Sequence, residues 1–578
     1  MARVFRSLVV VLALAIVVVG VWWTHGRGPR TTEASHADRI IRGGELIASV
    51  RSDPSSYNRY VQRGAATDLV ALLTQAGLVR VNRATDDLEP WLAESWTTSA
   101  DGLTFTLKLR QALFSDGVPF TADDVLFSFQ AAYDDRVRSS LKTSLEAGGQ
   151  PLKVSAPDRS TVVIQFPVPF AAGLRLLDNL PILPKHKLAA ALDAGRLADE
   201  WTAGRPLDTV AGLGPFVLTE HLSGQRLVFT RNPHYFRHDA KGAQLPYLDR
   251  LTVAIIGEQN AEALRLQAGE IDLMSSGEIR PPDYAAFKKL ESAGRLRLYE
   301  IGTSLDPDFL WFNLSGKNAT SPGRALLAQK AFRQAVSYGV DRQAIADSVY
   351  LGAAVPIYGP VSPGNVKWFS PDVPIRTYDV TRARALLASL GLVDRDGDGM
   401  LETAAGAPVR FSMLSQAGHI RGRTAAAIKS QLQQIGVGVD LVTLDPGGIV
   451  KRFGDGDYDS IYFGIQASST DPSLNLDLWL SSGHNHFWNP GQRVPATEWE
   501  KRIDELMQEQ SQARDLAQRK RAFADVQRIL GEELPIIYFV APRVTIATTP
   551  RVLGPTPVLQ LPQLLWSADT LASATAPR

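Results

Sequence analysis

The stretch Leu88–Phe129, LEPWLAESWTTSADGLTFTLKLRQALFSDGVPFTADDVLFSF, decides the fold of this chain. Residues 104–110 alternate polar and apolar side chains with the two-residue period of a half-buried strand. Asp-Gly pairs on both sides of this strand predict turns. Thr121 stands just before Asp123 and Asp124, which suits it to cap the helix that follows. The stretch therefore predicts a pair of strands and then a helix.

The same residues resemble the signature of the extracytoplasmic solute-binding proteins of peptide/nickel-type ABC importers, solute-binding protein family 5. That family carries P-x-LA-x-SW, then DG-x-T-(Y/F)-T-x-x-LR, then a segment ending in T-A-x-DV-x-(F/Y)S, in this order. Further segments resemble family motifs: Gly212–Phe216, Arg231–Phe236, Pro246–Leu251, Ala263–Asp272, Phe332–Arg342, Tyr378–Leu390 and Leu534–Phe539. The resemblance covers residues 40–550.

The chain has 578 residues, which exceeds one hydrophobic core and predicts two or three domains. Predicted strands alternate with predicted helices, the longest over Glu498–Leu530, and this alternation indicates mixed α/β layers. The resemblance implies a two-lobed α/β periplasmic-binding-protein fold, type II-like (cluster C), with an extra domain. The implied pieces are lobe I (40–76, 209–305 and 545–578), the extra domain (77–208) and lobe III (306–544).

The composition is that of an ordinary globular protein, with 45% hydrophobic and 21% charged residues. The net charge of +1 gives no basic surface for nucleic acid, so no nucleic-acid partner is expected. The chain contains no cysteine. This excludes disulfides, cysteine nucleophiles, cysteine-zinc sites and a lipidated amino-terminal cysteine.

Residues 1–37 form a separate signal or anchor segment. Arg3 and Arg6 precede the apolar run Ser7–Trp23, whose length is near the short end of the ~17–25 residues that span a bilayer. A Ser-x-Ala cleavage site ends at Ala37, but it lies far beyond the apolar run. We therefore expect a membrane anchor, with a cleaved signal peptide as the alternative. Both place the rest of the chain outside the cytoplasm, in the periplasm or its equivalent.

The sequence carries no recognisable enzyme motif. His-Glu-x-x-His, Gly-x-Ser-x-Gly and Walker sequences are absent, and the glycines at 212 and 214 have no Lys-Ser/Thr after them. His484 and His486 lack an evident third zinc ligand, so we interpret them as solvent-facing loop residues. No enzymatic activity and no cofactor are expected.

One acidic segment has the spacing of a metal loop. Asp394, Asp396 and Asp398 stand at positions one, three and five, with Gly399 at six, as in the first half of a calcium loop. Position twelve is Ala405, so the bidentate glutamate is missing. We favour a structural turn and keep calcium as the alternative.

The resemblance also suggests where a ligand binds, between lobes I and III. The ligand-contacting segment of the family is G-W-x-x-D followed by (D/E)-P, and here it is GIQASSTDP over residues 464–472. The amine-binding aspartate has become Ser468, and a hydroxyl does not compensate a desolvated ammonium as a carboxylate does, so this segment is not expected to bind a free peptide amine. A capped peptide, a cyclic peptide and a non-peptide solute are the alternatives. The candidate ligand-binding residues in this segment are Gly464, Ile465, Gln466, Ser468 and Asp471.

Other candidates lie outside that segment. Arg421 and Arg423 begin a helix that often supplies an arginine to the cleft in this family, where it would bind a ligand carboxylate. Ser55, Tyr57 and Asn58 follow the first strand, in a loop that faces the cleft in this fold. The alternative for the arginines is a surface position at a helix start.

The resemblance implies a solute-binding component of an ABC transporter, which captures peptide-like solutes between two lobes and delivers them to a membrane permease. The chain is expected to be a monomer. The alternatives are a binding protein for oligosaccharides or other non-peptide solutes, and a membrane-tethered receptor or chaperone with the same fold.

Overall fold

The computed structural model describes residues 42–315, 322–416, 418–465 and 470–574. The predicted signal or anchor segment, residues 1–37, lies outside these ranges. None of the helices in the described ranges combines the length and the apolar composition that crossing a membrane requires.

The regular elements alternate along the whole chain. In chain order, the strands are β1 (Glu45–Val50), β2 (Val79–Asn82), β3 (Asp87–Pro90), β4 (Ala93–Thr98), β5 (Thr104–Leu109), β6 (Glu146–Ala147), β7 (Gln150–Pro151), β8 (Lys153–Asp158), β9 (Thr161–Gln165), β10 (Phe216–Leu222), β11 (Arg226–Arg231), β12 (Arg250–Ile255), β13 (Leu273–Met274), β14 (Arg297–Thr303), β15 (Phe309–Phe312), β16 (Ala354–Pro356), β17 (Arg410–Gln416), β18 (Gly438–Leu444), β19 (Ser460–Phe463), β20 (Ile536–Tyr538), β21 (Val540–Thr548), β22 (Val552–Leu553) and β23 (Ala572–Ser573). The α-helices are α1 (Ala65–Thr74), α2 (Ala122–Tyr133), α3 (Lys185–Asp193), α4 (Gln259–Ala268), α5 (Tyr284–Ser292), α6 (Pro322–Leu327), α7 (Lys330–Tyr338), α8 (Arg342–Ser348), α9 (Val380–Ser389), α10 (His419–Gln433), α11 (Pro446–Asp455), α12 (Leu476–Trp479), α13 (Glu498–Gln512) and α14 (Leu516–Glu533).

The largest sheet joins segments from both ends and the middle of the chain. Within the described ranges it has eight strands in the order β10-β11-β12-β1-β13-β21-β14, with β16 also paired to β21. β1 is parallel to β12 and β13, whereas β21 is antiparallel to β13, β14 and β16. We use lobe I for the body built on this sheet. The predicted boundary between residues 544 and 545 falls inside β21.

Two further sheets organise the remaining chain. The described part of one has five strands in the order β18-β17-β19-β15-β20, and we use lobe III for the body built on it. The other has four strands in the order β4-β5-β9-β8, and we use extra domain for its body. β5 matches the strand predicted from alternation, and α2 begins after Thr121, whose backbone N–H donates to Asp124 Oδ2 at 2.9 Å.

The buried side chains show which bodies are packed together. Residues of lobe I such as Leu46 and Val253 share one continuous apolar core with extra-domain residues such as Leu107 and Ile164. Lobe III has separate cores on the two faces of its sheet. The chain passes from lobe I to lobe III between β14 and β15, and it returns through one residue between β20 and β21. Between these two crossings, the short strand β16 also pairs with β21 of the lobe I sheet. Lobe I with the extra domain is therefore one packed unit, and short connections link it to lobe III.

Gly212 and Gly214 allow this unit to pack closely. A Cβ at residue 212 would lie 1.9 Å from the carbonyl oxygen of Thr74, and one at residue 214 would lie 2.4 Å from the Thr74 carbonyl carbon. Both distances are far shorter than a van der Waals contact, so only glycine fits where this segment crosses the end of α1.

The long helical stretch predicted over Glu498–Leu530 is helical in the structure, where it consists of two helices. α13 ends at Gln512, and Asp515 begins α14 by accepting a hydrogen bond from the backbone N–H of Gln518 at 2.9 Å. An aspartate at this position satisfies a free N–H of the new helix, so it favours a second helix start over a continuous helix.

Candidate functional site

A cleft of about 800 Å³ separates lobe I and the extra domain from lobe III. Its wall on the first side includes Arg80, Trp91, Glu278 and Trp566. Its wall on the lobe III side includes Asp308, Tyr350, Arg421, Gly464 and Ile465. A volume of this size matches the cavities in which proteins enclose small ligands. The cleft is therefore the candidate binding site.

Strand β2 presents Arg80 to this cleft. Val79 and Val81 are buried, whereas Arg80 between them is only half-buried, as the alternation of a strand requires. The Arg80 Cζ atom lies 4.5 Å from the ring centroid of Trp91 and 4.5 Å from that of Trp566. Two aromatic faces thus hold one guanidinium group in place.

The rings that hold Arg80 are themselves fixed. Trp91 and Trp566 are 9% and 6% exposed. The indole N–H of Trp566 donates to the carbonyl oxygen of Thr556 at 2.7 Å. Within the described ranges, no residue accepts a hydrogen bond from the Arg80 guanidinium or forms an ion pair with it. Arg80 therefore offers its donors to the cleft.

The facing wall contains an ion pair between two segments of lobe III. Arg421 Nε and Nη2 donate to the two carboxylate oxygens of Asp308 at 2.9 and 2.7 Å, and Nη1 donates to Gln416 Oε1 at 2.6 Å. The guanidinium also lies over the ring of Phe463, with Cζ 4.3 Å from the centroid. Burial opposes the charged form, but the hydrogen bonds and the charge of Asp308 raise the pKa of Arg421.

Gly464 makes room for this ion pair. A Cβ on residue 464 would lie 2.1 Å from Asp308 Oδ1 and 3.3 Å from Arg421 Nη2. The close approach of Asp308 therefore explains why this position of the predicted ligand-contacting segment is a glycine. The structure brings Gly464, Ile465 and Arg421 together at the cleft, although Arg421 already binds a protein carboxylate.

Glu278 is an acidic group of the opposite wall. The backbone on both sides of it is fixed, since the N–H of Gly277 donates to Gln563 Oε1 at 3.1 Å and that of Ile279 donates to the carbonyl oxygen of Thr545 at 2.8 Å. The Glu278 side chain is exposed and lines the cleft. Partial loss of solvent in the cleft raises the pKa of its carboxyl, while the charge of Arg51 partly opposes the increase.

At the rim of the cleft, Asp86 of the extra domain contacts lobe III. Its carboxylate accepts hydrogen bonds from Lys367 Nζ at 2.8 Å and Thr470 Oγ1 at 2.8 Å, and it pairs with Arg175 at 2.5 Å. Burial works against the anion, but the hydrogen bond from Lys367, the charge of Arg175 and the hydrogen bond from Thr470 hold the pKa of Asp86 below its ordinary value. The structure therefore has the cleft closed at this edge.

Three predicted ligand-binding residues in the loop after β1, Ser55, Tyr57 and Asn58, lie outside the lining of the cleft. Tyr57 is 1% exposed, and its hydroxyl lies 2.5 Å from His221 Nδ1. Asn58 is fully buried and donates to the carbonyl oxygen of Leu197 at 3.1 Å. Ser55 is exposed and donates to Gln62 Oε1. These side chains form contacts within the unit of lobe I and the extra domain.

Arg423 and Asp471 are also absent from the lining residues in the described part of the chain. Arg423 is exposed and donates to the carbonyl oxygen of Val349 at 2.8 Å. Asp471 is 2% exposed, and its Oδ1 lies 2.6 Å from Nη2 of Arg519. A carboxylate engaged in this way faces the interior of lobe III. The candidates Gln466 and Ser468 lie outside the described residues.

The acidic segment at residues 394–402 forms a turn that is held by its own backbone. Carboxylate oxygens of Asp394, Asp396, Asp398 and Glu402 lie within 4.8 Å of one another. Asp394 accepts hydrogen bonds from the backbone N–H groups of residues 397 and 399, which is the bonding of a structural turn.

The solvent-facing interpretation of His486 is wrong, because the residue is fully buried.

His486 is buried because it packs against protein on two sides. Its ring centroid lies 4.0 Å from that of Trp488, and Nε2 lies 3.4 Å from Glu500 Oε1. His484, two residues earlier, is exposed as predicted.

The sequence analysis did not identify Arg80, Glu278 or the two tryptophans beside Arg80. The alternation Val79-Arg80-Val81-Asn82 was a usable signal, since it places Arg80 on the face opposite the buried valines. Nothing local to Trp566 indicates that it meets β2.

The chain is similar to known proteins along most of its length. A family model described as bacterial extracellular solute-binding proteins, family 5 Middle, matches residues 87–487. The probable ABC transporter-binding protein of Deinococcus radiodurans is 27% identical over 542 residues, which cover 89% of this chain and 90% of the relative. The oligopeptide-binding protein AppA of Bacillus subtilis is 25% identical over 553 residues, covering 93% and 94%.

A solved structure gives the same similarity in three dimensions. The structure of AppA from Bacillus subtilis in complex with a nonapeptide has a TM-score of 0.71 and 25% sequence identity with this chain. The similarity covers 93% of this chain and 100% of that chain.

Proposed function

The chain belongs to the bacterial extracellular solute-binding proteins, family 5, and we propose that it captures peptide-like solutes and delivers them to the membrane permease of an ABC transporter. Membership confirms the predicted family and the two-lobed α/β fold. The observation that carries the proposal is the cleft of about 800 Å³ whose walls come from both lobes. AppA, which shares the fold at 25% identity, holds a nonapeptide in its solved structure.

The proposed mechanism is closure of the lobes on the solute. Lobe I and the extra domain form one unit, and lobe III can rotate against it about the connections that flank β15 and β20. In the closed arrangement Asp86 holds Lys367 and Thr470 across the rim. The permease would recognise this closed form. The binding protein would make and break no covalent bond, and the ATPase of the transporter would supply the energy.

The protein would act outside the cytoplasm, as its family does. We propose that the apolar run Ser7–Trp23 tethers it to the membrane, with cleavage after Ala37 as the alternative. The proposed working form is a monomer. No role for nucleic acid, for a cofactor or for an enzymatic step belongs to this proposal.

The experiment that tests the solute class is native mass spectrometry of the full chain, purified in mild detergent after expression in a bacterium. A retained mass that fragments into amino-acid residues supports the proposal. A retained mass that fragments into hexoses supports the oligosaccharide alternative. A chain that retains nothing, and that binds no free-ended peptide by calorimetry, supports the receptor or chaperone alternative.

A further inference from the structure

We propose that the solute is a zwitterion with a free carboxylate and a free amine, and that Arg80 binds the carboxylate while Glu278 binds the amine. This inference rests on the proposed function, because it concerns the cleft in which the solute is captured. It assigns both charge contacts to the wall formed by lobe I and the extra domain.

Most other charged side chains of the cleft are already paired within the protein. Three such pairs line it or its rim: Arg421 with Asp308, Arg59 with Asp68, and Arg175 with Asp86. Among the described residues, no donor is bonded to the Glu278 carboxylate and no acceptor to the Arg80 guanidinium. These two opposite charges are therefore available to a solute.

Arg80 is built as a receptor for a carboxylate. Two indole rings flank the guanidinium, each with its centroid 4.5 Å from Cζ, and no described residue accepts a hydrogen bond from its N–H groups. A guanidinium group presents parallel N–H donors that match the two oxygens of a carboxylate. Because the side chain is already ordered, binding costs less conformational entropy than it would for a free arginine.

Glu278 has the corresponding properties for an amine. Its backbone is anchored on both sides, and its carboxylate opens into the cleft. Although the side chain is exposed, the cleft around it removes part of its solvent and raises the pKa of this carboxyl. An ammonium group in contact with it would compensate that loss.

One segment of lobe I connects the two receptors. Gln563 accepts the hydrogen bond from the N–H of Gly277, the residue before Glu278. Trp566, three residues after Gln563, lies beside Arg80, with its ring centroid 4.5 Å from Cζ. Both charges consequently belong to a single wall.

The test uses the full chain and titration calorimetry with two kinds of probe. The first is a set of free-ended alanine peptides of two to five residues, each also prepared with an acetylated amine or an amidated carboxylate. The second is 6-aminohexanoate, which carries both charges and no peptide bond. The substitutions are Arg80→Gln and Glu278→Gln. Arg196→Gln and Glu270→Gln, at an exposed arginine and an exposed glutamate outside the lining of the cleft, are matched controls.

We expect each substitution to weaken the binding of the best free-ended peptide by about 30-fold or more, which is the order of the loss when one partner of a hydrogen-bonded charge pair is truncated. Arg80→Gln should leave the weaker affinity for the amidated peptide unchanged, and Glu278→Gln should leave that for the acetylated peptide unchanged. The controls should change affinity less than threefold. Arg80→Lys keeps the charge and should bind between the original chain and Arg80→Gln, with an unchanged melting temperature.

The outcomes separate this inference from the proposed function. Tight peptide binding that neither substitution weakens overturns the inference and leaves the peptide function in place. Binding of 6-aminohexanoate alone, lost in both variants, supports the inference and contradicts the peptide function. Binding of neither kind of probe by the unsubstituted chain overturns the inference.

Discussion

Lys367 Nζ lies 2.8 Å from Asp86 Oδ2, so a side chain of lobe III is held by a side chain of the extra domain across the rim of the cleft. Asp86 sits in the left-handed region with φ of 61°, between β2 and β3. Asparagine tolerates that conformation as well as aspartate does. The charge at this contact can therefore be removed without changing the turn.

We expect Asp86→Asn to shift the ligand-free protein toward open forms, because the neutral amide loses the ion pairs with Lys367 and Arg175. Small-angle X-ray scattering should show a larger radius of gyration than for the original chain. Asp87→Asn, at the exposed neighbouring residue, is the control and should leave the radius unchanged. Equal radii for all three proteins would show that Asp86 does not hold the lobes together.

Local features of this fold were predictable from sequence, whereas the site largely was not. The alternation in residues 104–110 and the cap at Thr121 act over a few residues, and both correspond to observed elements. The Asp308–Arg421 pair joins residues 113 apart, and nothing near either residue specifies the other. Such contacts depend on how sheets and helices pack, which local patterns do not encode.

The break between α13 and α14 gives the complementary case. The apolar pattern predicted a helical stretch over residues 498–530 and indicated no break within it, whereas in the structure Asp515 caps a new helix. A competing local signal was present in the sequence and was outweighed by periodicity. For Arg80 the alternation of β2 was likewise present, but its aromatic partner Trp566 comes from the far end of the chain.

Gly464→Ala is predicted to destabilise the protein by about 1–3 kcal/mol, because its Cβ would overlap Asp308 Oδ1 and break the pair with Arg421. Urea unfolding measures the change. Gly454→Ala is the control, since a Cβ there meets nothing within 4 Å and alanine favours its helix. Adding Asp308→Ala should recover part of the loss caused by Gly464→Ala. Purely additive effects would contradict the steric explanation.

Acid should destabilise lobe III through Glu500. Burial alone would raise the pKa of this carboxyl, but hydrogen bonds from His486, Trp488 and Thr497 hold the pKa at about 2, below the ordinary value of 4.5. A lowered folded-state pKa contributes stability above the ordinary value, and that contribution is lost as the pH falls from 4.5 toward 2.

The corresponding measurement is urea unfolding between pH 6 and pH 2.5. Glu500→Gln should be less stable at pH 6 and should lose less further stability on acidification than the original chain does. Glu498→Gln, at an exposed glutamate of the same helix, should retain the original pH dependence. If the free energy of unfolding of Glu500→Gln depends on pH as it does in the original chain, the Glu500 carboxylate is not the source of the acid sensitivity.

The amino-terminal segment should keep the full chain with the membrane fraction after a carbonate wash, because Ser7–Trp23 is apolar and the absence of cysteine excludes a lipid anchor on cysteine. Deleting residues 1–37 from a version with a separate export signal should release the protein. Amino-terminal sequencing of the full-length product distinguishes the alternative: recovery in the soluble fraction with Asp38 as first residue would show cleavage after Ala37.

The central claim, closure of two lobes on a solute, is tested most directly by one distance across the rim. Because the chain has no cysteine, Asp87→Cys and Val366→Cys together provide two unique sites for spin labels. Each lies next to one partner of the Asp86–Lys367 contact, and both are exposed. Double electron–electron resonance should give a broad, longer distance distribution without solute and a narrow, shorter one with a saturating peptide that calorimetry has shown to bind. Identical distributions with and without that bound peptide would contradict the account.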